Sequence, residues 1–198
     1  MSQLEIKKLS IQTDDKDVAH DVSFTLESGK VHVLMGPNGS GKSTVANALF
    51  GHPSYTITSG TVTLDREDIT ELDTEKKAQK GMFLSMQYLP EIHGVTLVSF
   101  LHKAYTTLKK SDMSILDFYT VLEKKAQELD IDSSFLQRHV NVGLSGGEKK
   151  LSEILQLAIL EPKFAVLDEI DSGVDVDALR KVYRAISKLK DHGTGFLL

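Results

Sequence analysis

The stretch Gly36-Pro37-Asn38-Gly39-Ser40-Gly41-Lys42-Ser43 decides the fold, because it fits the phosphate-binding pattern G-x-x-x-x-G-K-[ST] at every position. The mostly apolar segment 31–35 before it predicts a buried strand, and segment 43–50 after it predicts a helix. In this order, backbone N–H groups and the positive end of the helix dipole converge on one point. We therefore predict a nucleotide-binding loop rather than a glycine-rich turn without a ligand.

The side chains of this loop have distinct expected roles. Lys42 is expected to reach the outer phosphates of the nucleotide, and the Ser43 hydroxyl is expected to bind Mg²⁺. The residues predicted to bind the nucleotide are Gly36, Pro37, Asn38, Gly39, Ser40, Gly41, Lys42, Ser43 and Thr44.

Composition excludes several classes of protein. The 198-residue chain has a net charge of -5 and no basic stripe, so we do not expect it to bind nucleic acid. It has no apolar run of about 18 residues and no export signal, which predicts a cytoplasmic protein that does not insert into membranes. Because it has no cysteine, any metal must be bound by oxygen ligands or by His.

Hydrophobic patterns predict an α/β fold with a mixed sheet. Segments 4–11 and 22–26 alternate apolar with polar residues and predict antiparallel strands, and segment 61–64 predicts another strand. The charged segment 65–80 is expected only to connect elements, with a surface helix opening at 73–77. Further strands are predicted at 81–85 and 163–167, a helix at 174–189, and the start of a last strand at 193–198.

The segment from about 88 to 140 is predicted to form a helical subdomain inserted into a single domain that spans residues 1–198. Two helical stripes support it, and they consist of Ile115, Phe118, Tyr119, Leu122, Ala126 and Leu129, and of Val98, Leu101, Tyr105 and Leu108. These stripes are expected to form the core of the subdomain, and a partner-binding groove at its edge is the alternative.

Three further sites carry polar residues where chemistry could occur. Gln87 follows an apolar strand. This position indicates either that its side chain touches a metal or a water molecule or that it has no functional role. Ser145 is a plausible helix N-cap before Gly146 and Gly147, which indicates either a second phosphate site or an ordinary cap. The pair 168–169 ends a strand, where Asp168 can hold the water shell of Mg²⁺ and Glu169 can orient or deprotonate water.

These motifs, in this order, resemble those of the ABC ATPase family, and the resemblance spans essentially the whole chain. Segment 36–43 is similar to the Walker A loop, Gln87 to the Q-loop glutamine, segment 144–148 to the LSGGE signature and segment 164–169 to Walker B. Segment 172–175 is similar to the D-loop. The resemblance implies a P-loop ATPase fold with ATP and Mg²⁺ as cofactors, phosphate binding at Ser145, Gly146 and Gly147, and magnesium ligation by Ser43, Gln87 and Asp168. It also implies that Glu169, Gln87 and Lys42 are the catalytic residues.

Within that family, segments 81–95 and 168–179 resemble SufC-type ATPases, which serve the Suf system of iron–sulfur cluster assembly. Transporter subunits usually carry Pro-Thr where this chain has Ile170-Asp171. The resemblance implies a transient dimer, in which ATP lies between Walker A of one subunit and the signature of another, and it implies SufB- and SufD-like scaffold partners that dock at about 87–105.

Two departures from the family pattern limit these expectations. No aromatic residue precedes Phe24 to stack on adenine, so base recognition is expected to be weak, with uncertain selectivity between ATP and GTP. The family continues beyond Leu198 into a strand with a switch histidine, so the chain is expected to be a C-terminally truncated member. Three functions therefore compete, namely a cluster-assembly ATPase, a transporter ATPase and a nucleotide-binding fragment without turnover.

Overall fold

The computed structural model describes residues 2–14, 16–86, 88–168, 170 and 174–198. Its strands are β1 Gln3–Thr13, β2 Lys16–Glu27, β3 Val31–His32, β4 Thr56–Leu64, β5 Glu67–Asp68, β6 Met82–Ser85, β7 Ile92–Thr96, β8 His139–Val140, β9 Phe164–Leu167 and β10 Gly195–Leu197. Its helices are α1 Lys42–Leu49, α2 Thr74–Gln79, α3 Leu97–Lys109, α4 Ile115–Glu128, α5 Gly146–Leu160 and α6 Val176–Asp191, with a 3₁₀ helix at Ser133–Gln137.

The chain divides into two compact units. The first unit comprises residues 1–85, 162–168 and 190–198, and the second comprises residues 86–161 and 169–189. The second unit contains the segment predicted as a helical subdomain, together with α5 and most of α6. None of the helices in the described part of the chain combines the length and the apolar character needed to cross a membrane.

An antiparallel sheet of the first unit runs in the order β2-β1-β4-β5. The alternation that predicted β1 is confirmed, since Leu4, Ile6 and Leu9 are buried on one face and contribute to the core. Strands β2 and β4 are longer than their predicted segments because pairing with β1 extends them into stretches of weak apolar alternation. The predicted antiparallel strands are therefore confirmed, with longer bounds.

The other four-stranded sheet of the first unit is wholly parallel, in the order β3-β10-β9-β6. Strands β6 and β9 confirm the predictions at 81–85 and 163–167. The α/β class is confirmed, and the antiparallel and parallel strands lie in separate sheets. The strand predicted at 31–35 was too long, because β3 spans only two residues and Val33 and Met35 are exposed.

Strand β10 lies in the middle of the parallel sheet, between β3 and β9. A Cβ atom on Gly195 would stand 2.7 Å from the Glu27 carbonyl oxygen and 2.7 Å from ring atoms of Phe164. Real Cβ atoms do not approach other atoms this closely, so glycine is required here. The predicted last strand is confirmed as β10. Its position between β3 and β9 was not predicted.

The segment 65–80 does more than connect elements. Asp73 caps α2 as the charge pattern suggested, but Lys77 in that helix is 1 % exposed and its Nζ donates to the Thr70 carbonyl at 3.2 Å. Burial lowers the pKa of Lys77. The Thr74 hydroxyl also donates to the Phe50 carbonyl at the end of α1. The charged residues of this segment did not predict that its helix is packed. The packing is possible because a lysine can bury its long apolar stem.

The second unit is built around the predicted helical stripe. Phe118, Leu122 and Ala126 of α4 are fully buried, and they pack with Leu101 of α3 in one core cluster. Ile115 departs from the prediction, since it is 45 % exposed at the first turn of α4. Leu155 and Ile159 extend the same cluster to α5, whose first turn carries the serine and glycines singled out from the sequence.

Candidate functional site

The loop after β3 leads into α1, whose first turn has no side-chain cap. Gly41 is the N-cap, with φ of 91° in the left-handed region that favours glycine, and it supplies no side-chain hydrogen bond. By contrast, side chains cap α2, α3, α4 and α5. The first N–H groups of a helix have no partner within the helix, so α1 can offer them to an anion. The predicted helix at 43–50 is confirmed as α1, within one residue at each end.

Lys42 is held by its own loop. Its Nζ donates to the Gly36 carbonyl at 2.8 Å and to the Pro37 carbonyl at 3.0 Å. The Pro37 carbonyl also accepts from the Ser40 backbone N–H at 3.2 Å. The Lys42 ammonium group therefore lies within the loop. Phosphate oxygens can replace the two carbonyl oxygens that it contacts.

A cavity of about 470 Å³ adjoins the loop within the first unit. One wall comprises loop residues from Gly36 to Lys42, and the opposite wall belongs to β2. The β2 residues that line it are Val18, Ala19, His20 and Val22. The volume falls in the range typical of small-molecule sites, and the mostly apolar wall beside a phosphate-binding loop suits the nucleoside part of a nucleotide.

Asp168 lies at the same edge of the parallel sheet as the loop. It directly follows β9, and the loop follows β3, so both are at the carboxyl ends of parallel strands. Only β10 separates the two strands, which corresponds to about 10 Å between their axes. Ser43 and Asp168 present oxygen donors, the type that Mg²⁺ prefers, and magnesium usually completes its shell with water and phosphate oxygens.

The second predicted anion site lies at the start of α5, in the second unit. Ser145 caps the helix as predicted, and its Oγ accepts from the Glu148 backbone N–H at 3.3 Å. The Glu148 carboxylate accepts in return from the Ser145 backbone N–H at 2.8 Å, which completes a capping box. Ser145, Gly146 and Gly147 are therefore held in one turn.

The glycine at the second helical position of α5 packs closely against the start of α6. A Cβ atom on Gly147 would stand 3.2 Å from both Ala178 Cβ and Asp175 Oδ2. Asp175 Oδ1 accepts from the backbone N–H groups of Asp177 and Ala178 at the start of α6. The signature turn and the beginning of α6 are thus in direct contact, a link that the sequence pattern did not reveal.

Gln87 and Glu169 lie outside the described residues, as do residues 171–173 of the D-loop-like segment. Their expected roles remain predictions from the sequence. Of the other predicted site residues, 36–44 form one continuous loop and helix start, Asp168 shares their sheet edge, and 145–147 open a helix of the second unit.

Comparison with known proteins identifies the family of the chain. Residues 19–172 match the family model described as ABC transporter. The chain belongs to the ABC ATPase family. This membership establishes an ATP-binding, ATP-hydrolysing subunit, and it fits the order of the phosphate loop, the signature turn and the Walker B strand along the chain.

Individual members of the ABC ATPase family match nearly all of the chain. Vegetative protein 296 of Bacillus subtilis is 43% identical over 100% of this chain and 76% of its own length. A probable ATP-dependent transporter, ycf16, of Cyanophora paradoxa is 43% identical over 98% of this chain and 77% of its own length. A probable ABC transporter ATP-binding protein of Streptococcus pyogenes is 42% identical over 100% of this chain and 78% of its own length.

Solved ABC cassettes share the fold. The dimeric structure of a bacterial ABC transporter cassette aligns with a TM-score of 0.83 at 19% identity, covering 98% of this chain and 86% of that chain. The ATP-binding subunit of an ABC transporter aligns with a TM-score of 0.81 at 22% identity, covering 98% of this chain and 78% of that chain.

Sequence reasoning missed two parts of the site in this ABC ATPase. The wall of the cavity from β2 includes His20, which is not among the Phe, Tyr and Trp residues whose absence predicted weak base recognition. Arg138 contacts Glu148 in the signature turn, with Nη1 to Oε1 at 2.6 Å. Neither feature has a local sequence signal that predicts it, whereas the spacing of Ser145 and Glu148 is the one by which a capping box can be predicted.

We expect the Glu148 carboxyl to titrate below its ordinary pKa of 4.5. The pKa is lowered by the hydrogen bond from the Ser145 backbone N–H and also by Arg138, which outweigh the opposing effect of burial. A lowered folded-state pKa stabilises the fold above pH 4.5, and this contribution is lost as the pH falls through the folded-state value. Carboxyl NMR titration measures the midpoint, and a midpoint at or above 4.5 would contradict the capping geometry.

Proposed function

We propose that this ABC ATPase is the energy-supplying subunit of an iron–sulfur cluster assembly system of the Suf type. The observation that carries nucleotide binding is the uncapped start of α1, which follows a loop whose lysine is held by replaceable carbonyl partners. The Suf assignment is supported by the resemblance of segments 81–95 and 168–179 to SufC-type ATPases. On this proposal the two units belong to one ATPase domain, with segment 88–140 as its helical insertion.

In the proposed mechanism, the phosphates of ATP accept hydrogen bonds from the backbone N–H groups of the loop and of the α1 start. Lys42 exchanges the Gly36 and Pro37 carbonyls for the outer phosphates, which replaces neutral partners by charged ones. Ser43, Gln87 and Asp168 would hold Mg²⁺, whose charge offsets the negative charge that develops on the transferred phosphoryl group.

A second copy of the chain completes the site. Because the Ser145 Oγ accepts a hydrogen bond from the Glu148 backbone N–H, its own hydroxyl hydrogen is available to donate to the γ-phosphate of ATP bound by the partner copy. The N–H groups of Gly146 and Gly147 add donors at the helix start. Glu169 then orients the attacking water for in-line displacement, and hydrolysis lets the two copies separate.

We expect Lys42→Ala to weaken ATP binding by about 100-fold, because charge-assisted hydrogen bonds to the phosphates are lost. Calorimetry with ATP and magnesium measures the affinity. Lys30→Ala is the matched control, since Lys30 pairs with Glu27 at 2.6 Å and does not line the cavity. Equal affinities for wild type and Lys42→Ala would overturn the proposed nucleotide site.

The cavity beside β2 is proposed to receive the nucleoside, with the His20 ring against the base. Base–aromatic stacking of about 1 kcal/mol predicts a loss of roughly fivefold in ATP affinity for His20→Ala. Inorganic triphosphate should bind wild type and His20→Ala equally, because it occupies only the loop. The exposed His192 gives the control variant His192→Ala. An equal loss for both ligands, or no loss for ATP, contradicts this placement of the base.

The proposed docking segment of the scaffold proteins begins beside Gln87. Its neighbours Met86 and Tyr88 are 45% and 79% exposed, so an apolar and an aromatic side chain lie where a protein could contact them. The Streptococcus pyogenes relatives are named as transporter ATP-binding proteins, so a membrane partner is the second candidate.

Co-purification separates the two candidates. We expect SufB- and SufD-like proteins to co-purify with the wild-type chain without detergent, and Tyr88→Ala to reduce their recovery, because it removes an exposed ring from the contact. Leu116→Ala is the matched control, since Leu116 is 78% exposed on α4. Recovery of membrane proteins instead of these scaffolds would replace the cluster-assembly role by the transporter role while leaving ATP binding intact.

A further inference from the structure

The start of α5 is held from outside the helix by one guanidinium group. Arg138 Nη1 donates to Glu148 Oε1 at 2.6 Å, and Arg138 Nη2 donates to the Gly143 carbonyl at 3.0 Å. Gly143 lies two residues before the N-cap Ser145 and has φ of 60°, in the left-handed region. One side chain therefore ties the chain entering the signature turn to the first turn of the helix.

Arg138 is itself fixed by the core of the second unit. Its backbone N–H donates to the Phe135 carbonyl at 3.1 Å, and its carbonyl accepts from the Leu97 N–H at 2.9 Å, where α3 begins. The guanidinium carbon lies 5.6 Å from the centre of the Phe135 ring, and Phe135 is buried. The Arg138 guanidinium thus contacts the signature turn from a residue that is anchored on the core of the second unit.

The two oxygens of the Glu148 carboxylate have different partners. Oε1 accepts from Arg138, and Oε2 accepts from the Ser145 N–H. Arg138 therefore acts on Ser145 through Glu148, and it also offsets the negative charge of a carboxylate that lies one turn from the expected γ-phosphate. Without it, Glu148 would keep only the hydrogen bond from the Ser145 N–H, and its negative charge would lose its cationic partner.

We propose that Arg138 is a positioning residue for the second anion-binding turn, which it holds through Glu148 and the Gly143 carbonyl in the geometry that binds the phosphate of a partner copy. This inference rests on the proposed function, because it assumes that two copies pair across ATP. Arg138 touches neither nucleotide nor water in this role, so its effect is confined to the pairing step.

The test separates pairing from nucleotide binding. In a Glu169→Gln background, in which hydrolysis is blocked and the ATP-bound pair is expected to accumulate, sedimentation velocity measures self-association at increasing ATP concentration. Arg138→Ala is expected to weaken association by about tenfold, the amount typical for losing a hydrogen bond to a charged group. ATP affinity of the single copy, measured at low protein concentration, should stay unchanged, because the loop 36–43 is untouched.

Further variants distinguish positioning from a general structural role. Arg138→Lys keeps the charge but cannot donate to Glu148 and Gly143 in the same fork, so it should restore association only in part. Adding Glu148→Gln to Arg138→Ala should also restore part of it, since glutamine can accept from the Ser145 N–H without a negative charge. Arg184→Ala, an exposed arginine of α6, is the matched control and should associate like the parent.

The outcomes are distinct. Association of Arg138→Ala at the parent level overturns the inference, as does a lowered ATP affinity of the single copy, since that indicates general damage to the fold. An effect of Arg138→Ala that Glu148→Gln leaves unaltered also overturns it, because the two residues would then act independently. If the parent protein binds no ATP, the proposed function itself fails, which is a different result from any of these.

Discussion

The proposed nucleotide site depends on the parallel pairing of β10 with both β3 and β9. Strand β3 has only two ladder residues, and β10 supplies its partners through Phe196 opposite Val31 and Leu197 opposite His32. Beyond the ladder, the Leu34 N–H donates to the Leu198 carbonyl at 2.8 Å, so the chain stays attached to β10 until it enters the phosphate loop. Because β10 also pairs with β9, the same strand sets the spacing between the loop and Asp168.

The parts of the fold and of the candidate site that could be predicted are those set by residues close together in the sequence. The glycine loop, the start of α1 and the cap at Ser145 were identified from the sequence because their residues lie within one turn of each other. The central place of β10 and the wall formed by β2 depend on contacts between distant segments, for which one sequence carries no signal. The burial of Lys77 was missed for a further reason, since its charge predicts exposure while its stem is long enough to pack inside.

The two helix starts of the candidate site are built differently. At α1, Gly41 offers no side-chain cap, so the first N–H groups of the helix are open to water or to an anion. At α5, the capping box and Arg138 have already ordered the turn. Ordering a turn before binding reduces the entropy lost on contact, so the α5 start is pre-organised for a ligand.

This difference implies an order of events. At the α5 start three cations are paired with carboxylates, since Arg138 contacts Glu148, Lys149 contacts Glu91 at 3.4 Å, and Lys150 contacts Glu153 at 3.0 Å. Attraction for a phosphate there comes mainly from backbone and hydroxyl dipoles, which are weaker than a free charge. At the loop, Lys42 has only carbonyl oxygens as partners in its described contacts, and no carboxylate among them competes with a phosphate. On the proposed function, the loop binds the nucleotide first, and the ordered turn of a second copy then meets ATP that is already bound.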